Sequence, residues 1–170
     1  GKIEVLLSKM CEAPVEIQGA GRTDAGVHAY GQVANFHIET EKSAEEVMEY
    51  MNTYLPEDIS VIACEEKPER FHARLNAKGK IYRYCIWNSD RKPVFRRKYV
   101  HQVPGKLDVD AMKKAASLLL GTHDYQSFTS TKKGKKSTVR TVERIDIEPV
   151  GEEIVFTFKG NGFLYHMVRI

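Results

Sequence analysis

A chain of 170 residues with 42% apolar side chains and a formal charge of +3 has the size of one globular domain or two small ones. It can bury roughly 70% of its unfolded surface, which excludes disordered and collagen-like classes. No stretch approaches the roughly 18 uninterrupted apolar residues of a membrane helix, and no basic and apolar leader opens the chain, so the sequence reads as neither membrane-spanning nor secreted. Cys11, Cys64 and Cys85 are odd in number, far apart and without a C-x-x-C pair; they indicate neither a disulfide framework nor a zinc knuckle and fit a reducing cytosol.

Ile3, Leu6, Leu7 and Met10 recur at helical spacing, and Pro14 then gives way to the extended run 15–18, so the chain opens as helix, turn and strand. A glycine-rich segment, 19–26, leads to a second strand over 32–39. Ser43 and Glu46 form a capping box for a helix with Val47, Met51 and Tyr54 on one face, ending before Pro56. Residues 59–64 read as a buried strand. Residues 80–88 alternate, with Tyr82, Tyr84 and Ile86 on one side and Ile81, Arg83, Cys85 and Trp87 on the other, as a strand with two distinct faces requires. Asp108 or Asp110 caps a helix carrying Met112, Ala115, Ala116 and Leu119 and closed by Gly121. Strands over 139–148 and 153–159 follow, and 163–170 begins a last helix. This order predicts an α+β fold built on an antiparallel sheet with helices on one face.

Charge is unevenly placed. Residues 39–69 carry ten acids against two bases, whereas Arg91, Lys92, Arg96, Arg97 and Lys98 form one basic cluster and Lys132, Lys133, Lys135, Lys136 and Arg140 another. Such clusters suit a polyanion, because neutralising phosphates needs cations gathered on one face; they also suit solvated loops, the commoner use of such runs. Several common motifs fail. Gly19-x-Gly21 lacks the third glycine of a dinucleotide fingerprint, no H-E-x-x-H is present, and the six histidines are scattered, so no metal site is indicated. Lys159-Gly-Asn-Gly-Phe163 resembles an RNA-recognition strand only weakly, since Asn161 and His166 stand where base-stacking aromatics belong. Arg22-Thr-Asp24-Ala-Gly26 places an arginine, an aspartate and permissive glycine in one tight turn. Asp24 there suits an Asx-turn or a helix cap, or a carboxylate held ionised beside a cation as a nucleophile or base.

Gly21-Arg-Thr-Asp-Ala-Gly-Val-His-Ala29 resembles the signature of the TruA family of tRNA pseudouridine synthases. Leu55-Pro-Glu-Asp-Ile-Ser-Val61, Phe71-His-Ala-Arg74, Lys80-Ile-Tyr-Arg-Tyr84, Gly121-x-His-Asp-Tyr-x-Ser-Phe128 and Phe163-x-x-His-Met-Val-Arg169 resemble that family's other blocks in order and spacing. The resemblance implies isomerisation of uridine to pseudouridine in the tRNA anticodon stem-loop, without metal or organic cofactor, in the cytoplasm. It implies Asp24 as nucleophile, attacking either the ribose C1′ or the uracil C6; Tyr82 as the tyrosine that stacks on the uracil; and Arg169 as the arginine that pairs with the aspartate. Arg22, Thr23, His28, Arg74, Arg83 and His166 would contact the substrate, whose target base must leave the stack because the reacting bond is otherwise inaccessible.

The implied fold is a pseudouridine synthase fold of two RRM-like α+β halves, 1–88 with the aspartate loop and 89–170, whose antiparallel sheets join around a central cleft. The implied assembly is a homodimer that binds tRNA jointly. Against the family pattern, the chain is expected to be cut short at both ends, beginning inside the family's first helix and ending one residue past Arg169. A non-catalytic tRNA-binding module that keeps the scaffold is the competing class; the joint presence of Asp24, Tyr82 and Arg169 argues against it, since binding needs no nucleophile.

Overall fold

Two units divide the chain in the computed structural model, Gly1–Ala77 and Lys78–Ile170, and residues 1–130 and 137–170 are described. The first unit holds α1 (Lys2–Cys11), β1 (Gln18–Gly19), β2 (Ala34–Asn35) and α2 (Ala44–Tyr54). α1 and α2 pack together through the apolar positions that the helical spacing marks: Leu7, Val47 and Met51 are buried with Val15. α2 starts where the capping box places it. The Ser43 hydroxyl accepts from the Glu46 N–H at 3.2 Å, and the Glu46 carboxylate accepts from the Ser43 N–H at 2.8 Å, which satisfies two donors that the first helical turn leaves open.

β1 and β2 are only two residues each, antiparallel, with Gln18 opposite Asn35; both expected strands are longer. Residues 59–64 form no strand, and Ile62 is 75% exposed. The reason is local: the Asn52 side chain donates to the Val61 carbonyl at 2.9 Å and accepts from the Val61 N–H at 2.7 Å, so helix α2 takes the backbone groups that a ladder would need. Val61 and Cys64 still pack on the α1–α2 core.

The second unit holds β3 (Lys80–Trp87), β4 (His101–Gln102), α3 (Val109–Ser117), β5 (Gly121–Asp124), a short 3-10 turn at Gln126–Phe128, β6 (Val139–Val150) and β7 (Glu153–Gly160). Its five-stranded sheet has the order β4-β3-β7-β6-β5. Three pairings are antiparallel, as expected, but β4 lies parallel to β3, which makes the sheet mixed. Gly151, at φ 61°, occupies the first of the two turn residues between β6 and β7, as a type II′ hairpin requires. Tyr82 faces Phe158, and Phe158 faces Ile145, so these side chains share one sheet face. Beside them Tyr125, Val142 and Met167 form the core, joined by Leu119 from beyond the end of α3 and by Phe163.

Asp108 is the residue that caps α3, accepting from Ala111 N–H at 2.9 Å. α3 ends at Ser117 with Leu118 as its C-cap, and Gly121, at φ 97°, opens β5 instead of closing the helix. Residues 163–170 form no helix, with a turn over 165–169: His166 sits at φ 62°, which interrupts helical propagation, while Phe163 and Met167 pack into the core.

Candidate functional site

The Gly21–Ala29 segment lies within the 14-residue excursion 20–33 between β1 and β2. The excursion is closed at its base by Ala20 N–H donating to the Val33 carbonyl at 2.8 Å and by the Gln32 amide donating to the Gly21 carbonyl at 2.5 Å. Asp24 begins a tight turn in which Val27 N–H donates to the Asp24 carbonyl at 3.1 Å, with Gly26 at φ 80°; that positive φ favours glycine at the third turn position. Arg22, Thr23, Asp24 and His28 are all exposed. The Asp24 carboxylate thus sits on an exposed, closed turn that contains a glycine.

The Phe71–Arg74 segment is tied to the same excursion. Ala73 N–H donates to the Asn35 side chain on β2 at 2.8 Å, and His72 N–H and Asn76 N–H complete a ring of bonds at 2.8 and 2.9 Å. Arg74, exposed on this loop, is thereby anchored at the base of the Asp24 excursion. Asn35 carries no signal in the sequence that marks it as an anchor; its partner is 38 positions away.

In the second unit, Tyr82 is half-buried, with its ring edge-on to Phe163 at 5.1 Å and 75°. Arg83 is exposed on the opposite sheet face, so Tyr82 and Arg83 do not line one surface. The turn 165–169 is pinned to the segment after the 3-10 turn: Thr129 Oγ1 donates to the Tyr165 carbonyl at 2.9 Å, and His166 Nδ1 lies 2.9 Å from Ser130 Oγ. His166 also stacks on Tyr165 at 3.7 Å. Arg169 is exposed at the end of this turn, its N–H bonded to the His166 carbonyl at 2.9 Å. Ser130 and Thr129 carry no mark in the sequence because their partners lie 36 residues away. Asn161 is structural, since its side chain accepts from Thr141 N–H at 3.0 Å and extends the β6–β7 ladder.

The first basic cluster is divided in use. Arg91 bonds Glu152 at 2.7 Å and Arg96 grips Glu153 with two bonds of 2.7 and 3.0 Å. Of the second cluster, Lys132, Lys133, Lys135 and Lys136 lie outside the described residues, and Arg140 bonds the Ser137 and Val139 carbonyls.

A family model described as tRNA pseudouridine synthase matches residues 2–76 and 115–170. Most of the chain is thus matched, including the Asp24 excursion and the turn ending in Arg169. The chain belongs to the tRNA pseudouridine synthase family. Among its relatives, tRNA pseudouridine synthase A of a Bacillus species (strain KSM-64) is 48% identical over 99% of this chain and 69% of its own length. A Bacillus cereus protein named tRNA pseudouridine synthase A 2 is 47% identical with the same coverage, and a Brevibacillus brevis tRNA pseudouridine synthase A is 44% identical over the whole chain and 70% of its own length. The family match passes over 77–114, which contains β3, β4 and the first basic cluster. Among the described residues no helix is long and apolar enough to cross a membrane.

Proposed function

We propose that the chain is the catalytic part of a tRNA pseudouridine synthase that isomerises uridine in the anticodon stem-loop. The bond from ribose C1′ to uracil N1 breaks, the base turns, C5 bonds to C1′, and the C5 proton is released as N1 gains one. Asp24 is the nucleophile, at C1′ or at C6; Tyr82 stacks on the flipped uracil, and Arg169 keeps the nucleophile ionised. Arg22, Thr23, His28, Arg74, Arg83 and His166 are proposed substrate contacts, the cytoplasm is the proposed compartment, and a homodimer the proposed assembly. The observation that carries the reading is the exposed Asp24 on a closed turn within a segment that the family model matches.

The test is tritium release from tRNA transcripts labelled at uridine C5, comparing the chain with Asp24→Asn. Release is expected from the parent and is expected to fall by about a thousandfold or more in the variant, as loss of a covalent catalyst entails. Equal release from both would refute the role of Asp24; tight tRNA binding with no release from either would favour the binding module.

A further inference from the structure

The loop 91–98 lies outside the residues that the family model matches, and it carries the most exposed large apolar side chain among the described residues. Phe95 is 96% exposed. An aromatic ring in water forgoes the burial that usually decides where phenylalanine sits, and this one is not on a loose loop. Arg91 and Arg96 fasten the segment to the β6–β7 hairpin through Glu152 and Glu153. The Arg91 carbonyl accepts from the Trp87 indole at 2.7 Å. Arg96 N–H donates to the Pro93 carbonyl at 3.0 Å and Tyr99 N–H to the Arg96 carbonyl at 2.8 Å, so two successive turns hold the ring outward.

Glu152 and Glu153 are paired to Arg91 and Arg96, and the Asp90 carboxylate accepts from the Gly105 N–H at 3.2 Å; Lys92, Arg97 and Lys98, all exposed on either side of Phe95, take part in no ion pair among the described residues. A ring flanked by cations matches one nucleotide and its phosphates: the base supplies a face for stacking and the backbone supplies the anions. A second copy of the chain docked symmetrically on this loop would set the same three cations against themselves.

We propose that the loop 91–98 is an RNA-contacting element in which Phe95 stacks on an unpaired base and Lys92, Arg97 and Lys98 meet the flanking phosphates. The inference rests on the tRNA reading above and adds a contact point to it. The experiment measures binding of a tRNA transcript by fluorescence anisotropy over a salt series, for the parent chain, for Phe95→Ala and for Lys92→Gln with Lys98→Gln, alongside sedimentation of each protein. Phe95→Ala is expected to weaken binding about tenfold with an unchanged salt slope. The double lysine variant is expected to lower the slope of log affinity against log salt by about 1.5. Binding by Phe95→Ala within twofold of the parent would overturn this inference and leave the tRNA reading standing; a parent chain with no affinity for tRNA would overturn both. A variant that loses self-association while keeping its RNA affinity would assign the loop to a second copy and likewise overturn it.

Discussion

Gly160→Ala tests the close approach on which the Phe163 side of the second unit depends. A Cβ at position 160 would stand 2.6 Å from the Thr141 carbonyl oxygen and 3.4 Å from the ring of Phe163. The oxygen belongs to backbone, so relief comes only from parting β6 and β7 by about 0.8 Å, the difference between 2.6 Å and the 3.4 Å at which ordinary contact begins. The same oxygen accepts from Asn161 N–H at 3.0 Å; lengthened by that amount, the bond leaves the range in which it is worth having. Strain of about 1–3 kcal/mol and one weakened hydrogen bond of about 0.5–1.5 kcal/mol together give about 1.5–4.5 kcal/mol. For a chain of this size that lowers Tm by about 3–18 °C, read by circular dichroism in a reversible melt. A Tm within about 2 °C of the parent would refute the reasoning and show that the strands accommodate a methyl group at this crossing.

Ser43→Ala removes the hydroxyl that accepts from Glu46 N–H and is expected to cost about 0.5–2 kcal/mol, seen as a lower urea midpoint with an unchanged m-value; an unmoved midpoint would count against the capping box. The Glu152 carboxyl is held below its ordinary 4.5, first by the Ser89 hydroxyl and then by the Arg91 guanidinium. Because the folded value is the lower one, the stability this group adds is present above about pH 4.5 and disappears as pH falls through the lowered value. Glu152→Gln is expected to flatten that part of the acid limb in urea titrations, and an acid limb identical to the parent's would remove Glu152 from the account.

What the sequence revealed was local. Ser43 and Glu46 stand three residues apart, so the start of α2 is written in four consecutive positions; the alternation of 80–88 similarly marks β3 and its two faces. Residues 59–64 have the composition of a strand, yet Asn52 takes both backbone groups of Val61, and no local pattern announces that competition. The parallel strand β4 is two residues long and exists because Ile86 and Trp87 offer it an edge. At 163–170 helical spacing is present, but core packing of Phe163 and Met167 and the left-handed His166 decide otherwise. The candidate site follows the same division. Asp24 stands out only through the resemblance of its whole segment to a family, since an aspartate in a glycine-rich turn has ordinary structural uses. The anchors of that segment and of the terminal turn, Asn35, Thr129 and Ser130, act across 36 to 38 residues, beyond the reach of any short motif.

The pairs that fasten the 91–98 loop also set an order of events. Arg91 and Arg96 meet partners 61 and 57 residues further along, and on a ribosome neither pair can close until Glu152 and Glu153 have been synthesised and have left the exit tunnel. The β6–β7 hairpin, joined by a two-residue turn, has low contact order and closes quickly once it has emerged. Throughout that interval the basic segment 91–98, with Phe95 in its middle, waits without its acidic neighbours, beside the RNA of the machine that is making it.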